Sequence, residues 1–128
     1  DLMEFDKHIP IYEQLVVYFK QSIASGKYLK GEALPSRRSV AAQFKINPNT
    51  VQRAFKVLEE EGIIETKSNI QSTVTENQAI LDDIRQDFIH TAIETMYETL
   101  KPLNLTKAQL LGQIKKVLDQ YMKEDDHV

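Results

Sequence analysis

Two helix starts stand close together in this chain, and no other feature constrains its fold as much. Leu34-Pro35-Ser36 puts an extended residue ahead of proline and a serine at the N-cap of the next helix. Asn47-Pro48 repeats the device, because proline at a first helical position gives up only an amide hydrogen that has no helical partner. Only a short helix fits between them, from about Arg37 to Phe44, and Lys45-Ile46 is left as the connection. Val40, Ala41 and Phe44 are its expected buried face. The helix that opens at Asn47-Pro48 should run to about Glu61 and stop at Gly62, with Val51, Ala54, Phe55 and Leu58 facing the core. Asn49, Arg53, Lys56 and Glu60 then collect on the opposite face, with Gln52 on the flank. A short helix, a tight turn and a second helix opening on polar and cationic residues have the form of a helix-turn-helix.

The flanking segments complete a small domain. Ile11, Tyr12, Leu15, Val16, Phe19 and Ile23 recur at helical steps between Pro10 and Gly26, which predicts an amphipathic first helix. Ile63 to Thr66 and Ile70 to Thr75 are β-branched runs around Lys67, Ser68 and Asn69, the pattern of a small hairpin. Three helices and a hairpin make a winged helix, expected over residues 1–75.

Beyond Thr75 the pattern changes. From about Asn77 to Leu100 a long helix carries Leu81, Ile84, Phe88, Ala92, Met96 and Leu100 on one stripe, with Ile80, Ile89 and Ile93 beside it. Pro102 interrupts it. Thr106 to Gln109 then offers a capping box, stapled by Leu105 and Leu110, and a last helix runs to about Lys123. Two helices cannot bury so broad a stripe on each other, and an exposed patch of that kind marks an interface. Residues 76–128 are therefore expected to form an α-helical dimerisation appendage, with Leu81, Ile84, Phe88, Ala92, Met96, Leu110, Leu111, Ile114, Leu118 and Tyr121 between two copies. The fold class is mostly α with a small β-hairpin.

Composition narrows the function. With 41% hydrophobic and 27% charged residues over 128 positions, the chain is too apolar for disorder and too polar for a membrane bundle. Its longest apolar run, Leu15 to Phe19, falls far short of the roughly 18 residues of a membrane span. The absence of cysteine excludes disulfides, thiolate zinc clusters and a cysteine nucleophile, and fits a reducing, cytoplasmic setting. Asp1 and Leu2 stand ahead of Met3 and are expected to be additions to the native sequence. No Gly-rich phosphate loop, serine nucleophile motif or metal pair is present. Asp82, Asp83 and Glu59 to Glu61 read as helix-surface charges. His90 shares a helix face with Asp87 and Glu94, but one helix rarely completes a metal site and no second histidine accompanies it. Neither enzyme activity, nor metal, nor cofactor is expected.

The net charge of −3 hides an asymmetry. Residues 30–56 hold Lys30, Arg37, Arg38, Lys45, Arg53 and Lys56 against Glu32 alone, whereas residues 76–128 hold six Lys or Arg against ten Asp or Glu. A basic segment joined to an acidic remainder is the footprint of a face that meets phosphate.

At this point the residues resemble the GntR family of bacterial transcription regulators, and within it the short YtrA branch. The likeness rests on Ile11-Tyr12-Glu13-Gln14-Leu15, on Gly26, and on Leu34-Pro35-Ser36-Arg37-Arg38-Ser39-Val40-Ala41. It continues through Asn47-Pro48-Asn49-Thr50-Val51-Gln52-Arg53-Ala54-Phe55, Leu58-Glu59 and Gly62-Ile63-Ile64. Each block is weak alone; together they are highly specific. The resemblance implies a homodimer on double-stranded operator DNA, with the C-terminal helices as the dimer contact and the third helix as the recognition helix. Two departures stand out. The wing tip, Lys67 to Ser72, lacks the family's glycine and keeps one cation, with Asn69 able to take a left-handed turn. Arg37 replaces the family's frequent small or acidic residue and adds a candidate phosphate contact. The effector pocket of larger relatives has no room in residues 76–128, and the inducing signal stays open.

The expected DNA-binding set is Ser36, Arg37, Arg38, Asn47, Asn49, Thr50, Gln52, Arg53, Lys56 and Lys67. Arg38 would hold backbone or a base edge from the start of the second helix, and Asn47 is chiefly a cap. Asn49, Thr50 and Gln52 offer donors and acceptors for base edges or phosphate, and Arg53 and Lys56 face outward as groove readout requires. The expected function is a dimeric repressor acting by operator occupancy, at an inverted repeat. The alternative is a winged-helix protein-interaction module that no longer binds DNA, suggested by the acidic net charge and the reduced wing.

Overall fold

The structure, a computed structural model, describes residues 4–68 and 71–123. Its elements are α1 (Ile11–Ala24), α2 (Arg37–Phe44), α3 (Pro48–Glu60), β1 (Ile64–Lys67), β2 (Gln71–Val74), α4 (Gln78–Leu100), a single 3-10 turn (Lys101–Leu103) and α5 (Lys107–Tyr121). Asp1 to Met3, and the tip residues Asn69 and Ile70, lie outside the described residues, as does the expected left-handed turn at Asn69. The expected winged helix and its mostly helical class are what the structure shows.

The caps fall where the sequence places them. The Ser36 hydroxyl accepts from the Ser39 amide at 3.0 Å, and Asn47 Oδ1 accepts from the Asn49 amide at 2.8 Å. Between α2 and α3 the chain turns in one step, because Lys45 takes a left-handed conformation, φ 56°, without being glycine. After α3, Gly62 turns the chain at φ 75°, and a Cβ there would also come within 3.3 Å of Ile80 Cδ1 on α4.

The hairpin is antiparallel, with Ile64 opposite Val74 and Lys67 opposite Gln71. Ser68, at φ 56°, is the left-handed residue described at its turn. The segment ahead of α2 joins the same sheet edge: Leu34 donates to the Ser72 carbonyl at 2.8 Å, Gly31 and Glu32 bond with Val74 at 2.9 Å, and Ala33 bridges Thr73. This third, partial strand was not legible in the sequence beyond the extended residue before Pro35.

Two compact units divide the chain, and the division falls inside α4, between Ile89 and His90. The first unit holds the core. Leu15, Phe19, Val40, Val51, Phe55, Leu58, Ile64 and Val74 are almost wholly buried. Edge-to-face rings run through it, from Phe5 to Phe44, Tyr18, Phe19 and Phe55. Ile84 belongs to this core, and Ile80, Leu81 and Phe88 pack against it. The stripe read as one interface on α4 therefore divides: Ile84 is buried in the head of its own chain, and Leu81 and Phe88 are partly buried against it.

The second unit begins at His90. Thr106 and Gln109 close a complete capping box at the start of α5. None of its described residues is buried. Met96, Leu100, Leu105, Leu110, Ile114 and Val117 line an apolar groove of about 430 Å³, with Leu118 also at its wall. Ala92 and Leu111 are exposed, and Tyr121 is 83% exposed. Ile93, Tyr97, Leu103 and Val117 are exposed apolar residues that the expected interface set did not include.

Candidate nucleic-acid interface

The outer side of α3 derives from its periodicity. Val51, Ala54, Phe55 and Leu58 are buried, which leaves Asn49, Gln52, Lys56 and Glu60 exposed and Thr50 half-buried. The side chains of Asn49, Gln52 and Lys56 make no hydrogen bond or ion pair among the described residues, so their donors and acceptors are free for a ligand. Arg38, in the first turn of α2, is likewise exposed and unpaired among the described residues. It makes no salt bridge to Glu32, whose Oε1 accepts from the Leu29 amide at 2.8 Å.

Ser36 and Asn47 are caps, their side-chain oxygens bonded to backbone amides. Ser36 also bonds the Ser39 hydroxyl at 3.0 Å. Lys67 is exposed at the end of β1.

Two arginines are held by the protein itself. The guanidinium carbon of Arg53 lies 3.9 Å from the ring centroid of Tyr12 on α1, although the residue stays exposed. Arg37 turns inward. Its guanidinium carbon is 4.8 Å from the Phe55 ring centroid, and Nη2 sits 3.4 Å from Glu59 Oε1 and 3.3 Å from Thr66 Oγ1. The expectation that Arg37 is one more outward phosphate contact therefore meets a side chain already engaged by α3 and β1. Tyr12, Glu59 and Thr66 were missed as parts of the site. Tyr12 reads as a core-stripe position, and nothing local in the sequence pairs Arg37 with residues so far along the chain.

The segment before α1 is pinned as well. Gln14 Nε2 donates to the carbonyls of Asp6 and Ile9 at 2.7 and 2.8 Å, while the Asp6 amide donates to Gln14 Oε1 at 2.8 Å. Elsewhere in the first unit, Lys27 donates to the Tyr18 hydroxyl at 2.7 Å, a bond that raises the lysine pKa above its ordinary value. Burial pushes the neighbouring Tyr28 hydroxyl up too.

His90 pairs with Glu94 at 3.8 Å on an exposed helix face. Among the described residues no cluster of three or more His, Asp or Glu could hold a metal ion, and no helix is long and apolar enough to cross a membrane.

Residues 11–74 match the family model described as bacterial regulatory proteins, gntR family. The chain is 33% identical over 112 residues to the uncharacterized HTH-type transcriptional regulator YhcF of Bacillus subtilis, covering 88% of this chain and 93% of that one. It is 34% identical over 115 residues to the HTH-type transcriptional repressor YtrA of the same organism, covering 90% and 83%. A GntR family transcriptional regulator from Listeria monocytogenes superposes with a TM-score of 0.80 at 32% identity, covering 88% of this chain and 98% of that one.

Proposed function

This chain belongs to the gntR family of bacterial regulatory proteins, and from that premise we propose that it is a dimeric, sequence-specific DNA-binding repressor that acts by occupying its operator. One observation carries the reading: on the outer side of α3, Asn49, Gln52 and Lys56 are exposed and unbonded among the described residues, and so is Arg38 in the first turn of α2. A helix that presents amide and ammonium groups with nothing to bind is equipped to read base edges in a major groove, while Arg38 fixes register on phosphate. The surplus of cations over residues 30–56, within a chain of net charge −3, supports the same face.

The second unit supports the dimer. Its apolar groove and its exposed Ile93, Tyr97, Leu111 and Tyr121 leave apolar side chains in water, the kind of surface that marks an interface. A second copy seated there makes the assembly two-fold, so the operator is an inverted repeat. Such a regulator works in the cytoplasm.

The test is selection of duplexes by the full chain from a random-sequence pool, followed by footprinting of the enriched sequence. An enriched inverted repeat is the expected result. No enrichment at low salt would remove the reading and leave a winged-helix module that binds protein.

A further inference from the structure

We propose that Arg37 is a positioning residue, a brace that sets the hairpin against the recognition helix α3, and not a phosphate contact. The inference rests on the DNA-binding reading above, but it concerns a residue that enters that reading only through its charge.

Arg37 is the first residue of α2, and its side chain is only 23% exposed. One guanidinium ties α2 to two further elements. It lies over the ring of Phe55, which is fully buried in α3, and it reaches Glu59 one turn further along the same helix. From there it reaches Thr66 on β1, whose hydroxyl is 2.6 Å from that of Ser72 on β2. Ser72 is 3% exposed and hands its own carbonyl to the Leu34 amide just ahead of α2. The chain of contacts thus leaves α2, crosses α3 and both strands, and returns to the residues that lead into α2.

Two features distinguish this arrangement from a phosphate contact at rest. Arg37 Nε is buried and makes no hydrogen bond among the described residues. A buried donor without an acceptor costs free energy, and an arginine held ready for phosphate in solvent would not incur it. Next, its partner is an anion. Glu59 beside a DNA surface repels phosphate, so its presence is costly unless it holds something the interface needs. Arginine suits the brace because its planar fork stacks on a ring while donating to two acceptors; lysine offers a point charge and no plane.

The sign of one substitution separates the two roles. Glu59→Gln would reduce the ion pair with Arg37 to a neutral hydrogen bond and remove a repulsion, so it should tighten binding if Arg37 contacts phosphate. As a brace partner, Glu59→Gln should weaken it. The probe is the duplex that the unmodified full chain enriches from a random pool, titrated across salt concentrations. We expect Glu59→Gln and Arg37→Met each to weaken binding about tenfold, and the double variant to be no more than about twofold worse than either single one. The slope of log affinity against log salt should stay unchanged, whereas a lost phosphate contact lowers it by about 0.9. Arg37→Lys keeps the charge and should not restore affinity. Tighter binding by Glu59→Gln, a lowered slope in Arg37→Met, rescue by lysine, or full affinity in both single variants would each overturn the brace. Should Arg37→Met not fold, the Glu59→Gln titration still decides the sign. Should the unmodified chain enrich no duplex, the DNA reading fails on its own. Amide exchange at Thr66, Lys67 and Ser72 in the free protein then decides the brace: faster by about tenfold in Glu59→Gln supports it, and unchanged rates refute it.

Discussion

Tyr12 and Arg53 form a pair whose effect on recognition can be separated from that of either residue alone. The ring holds the guanidinium at one flank of α3 while leaving it exposed. If Arg53 reads a base, its Ala variant relaxes preference at one operator position by about 1–3 kcal/mol. Tyr12→Leu should then produce part of the same loss, and the two should be non-additive in a double-mutant cycle. Additive effects would mean the stack does not position the arginine. Arg38→Ala should instead weaken binding to all duplexes and lower the salt slope by about one. A separate residue-scale expectation concerns alkaline pH. The pKa values of Lys27 and Tyr28 are both raised in the folded chain, so the contribution of each is present below its unfolded value and lost as pH rises through the folded one. Thermal melts should fall above about pH 10, and Tyr28→Phe should flatten part of that fall. At this scale helical periodicity indicated that Asn49 faces outward and Gln52 lies beside it, and both are exposed, as is Arg38, which was picked out chiefly through the family resemblance. It could not reveal that Arg37 turns inward, because Glu59 and Thr66 reach it only through the packing of α2 against α3 and β1.

Among elements, the legible parts are those with local chemistry. Ser36, Asn47 and Thr106 satisfy amides a few residues away, and all three caps form as the sequence indicates. Replacing Ser36 or Asn47 by Ala should destabilise the head by about 1 kcal/mol, read from denaturant midpoints, with no change in salt slope. A changed slope would make the residue a phosphate ligand as well as a cap. Lys67→Ala should act as the loss of one phosphate contact, leaving the ranking of operator variants intact; an altered ranking would show that the hairpin reads bases. Less legible was the partial strand at Ala33 and Leu34, which exists only because Thr73 and Ser72 arrive beside it from far along the chain. The long helix misled for a related reason. An apolar stripe records that a face is covered, and it does not record by what, so Ile84 and Leu118 look alike in sequence although one is 6% exposed and the other 47%.

For the whole molecule, that difference becomes a measurement. Ile84→Ala should destabilise the head by about 2–4 kcal/mol, because it empties a packed position. Leu118→Asp should leave the melting of the first unit nearly unchanged and shift sedimentation toward monomer, with operator affinity falling by orders of magnitude as the second half-site loses its tether. Equal sedimentation of Leu118→Asp and the unmodified chain would sink the dimer assignment. A head cut after Ile89 should melt higher than one cut after Thr75, since Ile80, Leu81, Ile84 and Phe88 stay in place. The bridge between Ala33 and Thr73 has a kinetic consequence. It closes a loop that contains the whole of α2 and α3, so the sheet is a non-local pairing whose closure entropy must be met before its hydrogen bonds form. Helices α2 and α3 leave the ribosome before the strand that locks them, and a nascent chain stopped ahead of β2 carries a helix-turn-helix without its sheet. Maturation of the head is therefore timed by the arrival of Ser72 and Thr73, which close the sheet onto Leu34 and Ala33.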